Sequence, residues 1–327
     1  MPFLVSLFFG FAPMLLLAYI LYWIDRYEKE PGLLLGAVFL WGAIVAAGGA
    51  FIINTFLGVG LYIFTSSEAA TAFATGSLIA PFVEEILKGF SVLIVFLIFR
   101  KEFDSILDGI IYAGVAALGF AATENIYYIF NYGFVQSGWQ GLWTLVFIRV
   151  ILVGWQHPFY TAFTGIGFAL ARLNRSIWVK IIAPLIGLGL AMFTHSVHNT
   201  LASILSGLSG LAFGILIDWI GWFFMFCFIL WAINKEGQIL KKYLAEEVKL
   251  GIISSSHYQT ASSSWSQVFK CLTSLFHGRY MNTRCFYQLC GELAHKKLQL
   301  AQLGNEDGNL ATIKIIQTEL TRLAPLV

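Results

Sequence analysis

Apolar residues run through the first two thirds of the chain in long blocks, not in the narrow stripes that mark a helix with one face in water. A helix needs about 20 apolar residues to cross a bilayer. Seven stretches satisfy this: Pro2 to Ile24, Gly32 to Leu57, Thr71 to Phe99, Ile106 to Phe130, Leu142 to Ala171, Ile181 to Ile204 and Leu211 to Ile233. The expected fold is therefore all-α, a polytopic transmembrane helix bundle of about seven spans with its termini on opposite sides. Lys and Arg concentrate in cytoplasmic loops. The first, third and fifth connections carry Arg26, Lys29, Arg100, Lys101, Arg172, Arg175 and Lys180, and the second, fourth and sixth carry none. This asymmetry predicts an N-terminus outside and a C-terminal tail in the cytoplasm.

After Ile233 the pattern changes. Lys235, Lys241, Lys242, Glu246, Glu247 and Lys249 have the spacing of a solvated helix leaving the membrane, and Ser254 to Ser266 is Ser-rich and reads as a hinge. Gly291 to Leu303 and Ala311 to Leu323 then show helical periodicity around a turn cluster at Gly304 to Asn309. The expected organisation is a catalytic bundle over 1–235, an exit helix and linker over 236–266, and a small cytoplasmic helical hairpin over 267–327.

Composition supports the membrane reading. The chain of 327 residues is 58% hydrophobic and 12% charged, against about 25% charged in soluble domains. A net charge of +2 without a basic run argues against nucleic acid as a partner. Cys227, Cys271, Cys285 and Cys290 form no C-x-x-C pair, so neither a disulfide framework nor a zinc knuckle is expected. The start lacks a basic segment before its apolar stretch, so the first helix is expected to be retained.

Against this background the polar residues inside the spans stand out: Glu84, Glu85 and Lys88 in the third, Glu124 and Asn125 in the fourth, Arg149 and His157 in the fifth, and His195, His198 and Asn199 in the sixth. Ionisable groups in hydrocarbon are costly and mark functional sites. Glu85 lies 15 residues before Arg100, His157 15 before Arg172, His195 15 after Lys180, and Glu124 16 after Asp108. At about 1.5 Å per residue these four sit roughly 22–24 Å from the cytoplasmic anchors, at one level in the outer half. Glu84 and Lys88 are spaced i,i+4, the favoured order for an ion pair, and His195 and Asn199 share a face. Arg149, nearer the outer end, is expected to snorkel to the interface, and His198 to be structural. Pro81 and Pro158 stand where a bend can open a pocket to water.

Adjacent carboxylates in a medium of low dielectric do not both ionise readily, so one is expected to hold or accept a proton near neutrality. A general base for water needs this property. A histidine can share the proton or polarise a carbonyl, and an amide can donate to an oxyanion. No Ser or Cys beside a histidine presents itself as a nucleophile. Glu85, Glu124, His157 and His195 also form a set of oxygen and nitrogen ligands suitable for zinc, without an H-E-x-x-H pair to fix it.

The order Glu84-Glu85-x-x-Lys88, Phe120-x-x-x-Glu124-Asn125-x-x-Tyr128, His157-Pro158-Phe159-Tyr160 and His195-x-x-x-Asn199 resembles the PrsW family of glutamic-type intramembrane proteases, related to the CAAX-prenyl endopeptidases and bacteriocin-processing membrane proteins. Asp25-Arg26-Tyr27-Glu28-Lys29-Glu30-Pro31 resembles that family too. The resemblance implies an intramembrane endopeptidase in the plasma membrane of a bacterium that cleaves a single-span, anti-sigma-factor-like substrate near the outer surface, as in regulated proteolysis. It implies Glu84, Glu85, Glu124, His157, His195 and Asn199 as catalytic residues, supported by Lys88, Asn125 and Tyr128. No cofactor is demanded by this reading, with zinc the alternative. A proton-coupled transporter is the other class that places Glu and His at mid-depth.

Overall fold

The computed structural model describes residues 1–205 and 207–327, and for Leu208 and Asp307 the backbone only. The regular structure among the described residues is all helix, with no strand. Helix α1 is Pro2–Ile24 and α2 is Gly32–Thr65, the latter with a π turn at Trp41–Ala46. Residues 68–98 form α3, which carries a π turn at Thr75–Ile79 immediately before Pro81. Helix α4 is Ile106–Tyr127, continued by a π turn at Tyr128–Phe134. Helix α5 is Val135–Val146 with a further turn at Phe147–Leu152, and α6 is Gln156–Arg172. Helices α7 and α8 are Ile177–Ile204 and Gly207–Lys249.

Among the described residues, five segments are long and apolar enough to cross a membrane: Pro2–Ile24, Gly32–Thr65, Ile106–Arg172, Ile177–Ile204 and Ser209–Lys249. Helix α3 carries Glu84, Glu85 and Lys88 and is the polar exception. The third of these segments is not one rod. Non-helical backbone at Ser137 and Gly138 folds it back, so that Leu142 and Val146 pack on Ile129. The returning strand of helix breaks again over residues 153–155 and restarts at Gln156. The expected span Leu142 to Ala171 is thus a discontinuous helix, and Pro158 lies in the first turn of α6, where no backbone donor is lost. The break, not the proline, sets the direction of the chain entering the site.

Helix α4 is the centre of the bundle, with Leu107 to Ala122 buried along its whole circumference. Its pairing with α6 depends on two glycines: a Cβ on Gly165 would lie 1.9 Å from the Gly109 carbonyl oxygen, and one on Gly109 2.3 Å from that of Gly165. Small residues at facing positions let membrane helices approach to backbone contact, and here the approach brings Glu124 of α4 to His157 of α6.

The tail contains the expected pair of helices around residues 304–308, but in place of the expected hinge it is folded. Helix α8 runs unbroken from the apolar stretch to Lys249. The Ser-rich stretch is folded into α9, Ser255–Ala261, and the start of α10, Ser264–Leu275, each capped by a serine hydroxyl. Helices α11, Tyr280–Leu303, and α12, Asn309–Leu323, follow. Phe286, Tyr287, Cys290, Leu293 and Leu320 form a core with Leu240 and Leu244 of α8 and with Tyr27 from the α1–α2 connection. The tail is thereby packed onto the membrane-embedded helices through a shared apolar core.

Candidate active site

Each polar side chain of the site is positioned by a different helix. On α3, Glu85 is fully buried and saturated: Lys88 Nζ donates to Oε1 at 2.5 Å, His195 Nδ1 donates to the same oxygen at 2.9 Å, and Thr161 Oγ1 donates to Oε2 at 2.8 Å. On α6, His157 Nε2 donates to Glu124 Oε2 at 2.8 Å, and its Nδ1 accepts from Lys88 Nζ at 3.3 Å. Glu124 is also bonded by Arg149, whose Nε donates to Asn125 Oδ1 at 2.9 Å and whose guanidinium carbon lies 4.0 Å from the centre of the Tyr128 ring. The His157 and His195 rings stand 5.2 Å apart, and Tyr160 stacks on His195 at 4.8 Å.

Glu84 is the exception. It is buried, yet Oε2 has no hydrogen-bond partner, and His195 Nε2 is 3.8 Å from it. An unsatisfied carboxylate oxygen in a buried site carries a penalty that a native structure ordinarily relieves with a partner. Glu84, His157 and His195 offer ligand atoms that all lie within 4.8 Å of one another. Each histidine has its other ring nitrogen oriented by a carboxylate, Glu85 for His195 and Glu124 for His157. A carboxylate behind each ligating histidine is the usual support of a metal site, and three protein ligands with an open position is the pattern of catalytic zinc. The residues present fit a metal ion once Lys88 Nζ turns away from His157 Nδ1, the ring nitrogen that Glu124 leaves free, with Glu84 in the place that the sequence offered to Glu85 and Glu124.

The sequence-derived residues are mostly brought together: Glu84, Glu85, Lys88, Glu124, Asn125, Tyr128, His157 and His195 form one connected cluster. Three expectations are corrected. Lys88 pairs with Glu85 at i,i+3, not with Glu84 at i,i+4. Arg149 does not reach outward but turns inward onto Glu124. Asn199 stays outside the cluster, its amide donating to the Gly76 carbonyl at 2.8 Å.

Three participants were missed. Thr161 lies one helical turn after His157 and so shares its face, a signal available from spacing. Asp218, a lone acid in the last span, accepts from Gln156 at 2.7 Å and from His198 Nδ1 at 2.9 Å, forming a second polar group beside the first. His198 is placed there, in keeping with its separation from His195. Tyr160 stands in the motif that follows His157, but no role was drawn for it from the sequence.

A profile described as PrsW family intramembrane metalloprotease matches residues 30–232. The chain belongs to the PrsW family. It is a multi-pass membrane protein of an intramembrane protease family. It is 28% identical to Protease PrsW of Geobacillus kaustophilus over 59% of this chain and 77% of that protein. It is 37% identical to Protease PrsW of Clostridioides difficile over 34% of this chain and 46% of that protein, and 27% identical to the Bacillus subtilis protein over 50% and 68%. No solved structure matches the chain. The PrsW match contains the whole site and ends before the tail, so α9 to α12 lie outside the matched residues.

Proposed function

We propose that the chain hydrolyses a peptide bond of a single-span, membrane-anchored protein, anti-sigma-factor-like in topology, near the outer membrane surface, with water activated among Glu84, His157 and His195. The observation that carries this is the unpartnered, buried Glu84 oxygen facing two oriented histidines. Glu84, His157 and His195 would hold a divalent metal, zinc being best suited to one oxygen and two nitrogen ligands. When bound, the ion polarises a carbonyl and lowers the proton affinity of water.

This chain's own residues do the rest. Glu85 and Glu124 fix the ring orientations of His195 and His157, so neither histidine has to reorganise as the reaction proceeds. Glu85 is held by three donors and serves as a positioning carboxylate, which leaves Glu84 as the adjacent carboxylate free to meet the reacting group. Lys88, between Glu85 and His157, is the cation best placed to meet negative charge developing on the scissile carbonyl oxygen. The break at residues 153–155 interrupts the helix beside a cavity lined by Trp155 and Pro158, and irregular backbone at membrane depth is tolerated where it lines a cavity.

With the tail in the cytoplasm, a reporter fused after Ile233 reads cytoplasmic and one inserted near Ser67 or Ser137 reads external. The decisive assay is cleavage of a single-span substrate in proteoliposomes. Wild type cleaves it and Glu84→Gln does not, with both proteins inserted and folded. A Glu84→Gln protein that cleaves at the wild-type rate would remove the basis of the assignment.

A further inference from the structure

Helix α10 is turned inside out with respect to the protein. At 100° per residue, Trp265, Phe269, Leu272 and Phe276 fall on one narrow arc, with Leu275 at its edge. A helix packed on a water-soluble domain buries that arc. In α10 the arc is exposed: Trp265 66%, Phe269 63%, Leu272 49% and Phe276 90%. The buried positions are polar instead, with Gln267 donating to the Ala261 carbonyl at 2.7 Å and Ser274 to the Cys271 carbonyl at 2.6 Å. An apolar patch of this kind marks a contact surface.

The position of α10 identifies what covers it. The Arg26 guanidinium carbon is 5.4 Å from the Trp265 ring centre, and Arg26 follows directly on the end of α1. The last turns of α1 carry Tyr19, Tyr22 and Trp23, an aromatic group of the kind that settles at the membrane–water boundary. A cavity of about 330 Å³ is shared by these three residues with Val268, Cys271 and Leu272 of α10. Helix α10 therefore lies at the level where α1 leaves the membrane, and its apolar arc continues the lipid-facing surface of that helix, on which Tyr19 and Trp23 are exposed. Around it stand cations: Lys270, Arg279 and Arg284 are exposed, and Arg284 Nη2 donates to Tyr22 Oη at 2.7 Å. No acidic residue occurs between Ser254 and Gly291.

We propose that α10 is an interfacial helix, which lays Trp265, Phe269, Leu272 and Phe276 into the bilayer beside the end of α1 while Arg26, Lys270, Arg279 and Arg284 meet anionic phospholipid headgroups. An amphipathic helix with large apolar side chains and basic neighbours binds membrane surfaces in this way, the apolar face entering the boundary between headgroups and acyl chains. Each basic residue near an anionic surface adds to the attraction. The tail is then fastened twice, to the protein through the core around Tyr27 and to the lipid through α10. This reading is independent of the chemistry at Glu84.

The test is site-specific photo-cross-linking of the full chain in nanodiscs of mixed phosphatidylcholine and phosphatidylglycerol, with adducts identified by mass. Benzoylphenylalanine replaces Phe269 or Phe276 on the arc, or Ser266 or Thr273 on the polar side, all exposed positions where a bulky ring displaces nothing. Phospholipid adducts are expected at Phe269 and Phe276, roughly tenfold above those at Ser266 and Thr273, and enriched in phosphatidylglycerol. Equal yields with both headgroups would overturn the electrostatic part. Protein adducts at Phe269 and Phe276, or no adducts at any of the four, would overturn the interfacial helix itself.

Discussion

Two buried clusters in this chain are made from the same residue types and do different work. In the membrane, Glu84, Glu85, Glu124, Lys88, His157 and His195 meet between helices. At the junction of the tail, Glu28, Asp104, His295 and Lys296 meet where α11 rests on the α1–α2 and α3–α4 connections. There His295 Nδ1 donates to Glu28 Oε2 at 2.8 Å, Asp104 Oδ1 is 3.4 Å away, and Lys296 Nζ donates to Asp104 Oδ2 at 3.2 Å and to the Lys101 carbonyl at 2.9 Å. The difference lies in the carboxylates. At the junction the acids are matched by cations, and the cluster works as a fastening. In the membrane Glu85 and Glu124 are matched in the same way, but Glu84 keeps an oxygen with no partner. On the proposed function, one unsatisfied acceptor between two oriented imidazoles separates a reactive site from a lock.

The largest effect is expected at that oxygen. Glu84→Gln keeps the side chain's size but removes both charge and basicity, so cleavage should fall by several orders of magnitude while the melting temperature stays near that of wild type. His157→Ala and His195→Ala should be comparably damaging. A partial defect in all three, measured as initial rates in liposomes, would merge the two clusters into one structural class.

Smaller losses are expected behind the histidines. Residues that orient a ligating histidine commonly contribute 10–100-fold in metal affinity or activity, so Glu124→Gln should lower turnover by about that factor and excess zinc should restore part of it. Failure of zinc to change the rate at any concentration would place Glu124 among the reacting groups.

The junction sharpens the contrast because its variants should spare chemistry. Burial alone would lower the His295 pKa, but Asp104 and Glu28 override it and hold it well above the usual histidine value. A histidine whose folded-state pKa is raised stabilises the fold fully below about pH 6.5 and loses that contribution as pH rises toward and through the folded value. Hydrogen exchange in α11 should therefore quicken as pH rises above neutrality by more than intrinsic exchange alone, and His295→Gln should remove that excess. Breaking a buried pair from one side costs about 3–5 kcal/mol, enough to loosen the tail, whereas the rate of substrate cleavage should be unchanged. A cleavage defect equal to that of Glu84→Gln would make the tail part of the catalytic unit.

Much of the membrane cluster was legible in the sequence because charges are conspicuous in apolar spans, and their similar distance from charged residues at the cytoplasmic ends placed them together. The junction was not, since Glu28, Asp104 and His295 are ordinary residues for water-exposed connections and are separated by 267 positions between Glu28 and His295. Within the site, spacing could not decide whether Lys88 serves Glu84 or Glu85, because i,i+3 and i,i+4 are equally close on a helix and Thr161 and His195 hold Glu85 in place. Arg149 was misplaced for a related reason: its depth suggested the interface, but the fold-back at Gly138 aims it at Glu124. The helix break at residues 153–155 lies in Val-Gly-Trp, an apolar run that gives no warning. The tail's Ser-rich stretch looked like a linker by composition, yet its serines cap two helices.

The central claim is that Glu84, His157 and His195 together hold the reactive group, and metal analysis of the purified full-length protein tests it most directly. Elemental mass spectrometry on wild type should find about one zinc-class ion per chain, as three protein ligands would hold. That ion should be lost in Glu84→Gln and in His195→Ala and retained in His295→Gln. Full cleavage activity in wild-type protein stripped of metal, or an undiminished metal content in Glu84→Gln, would contradict the account.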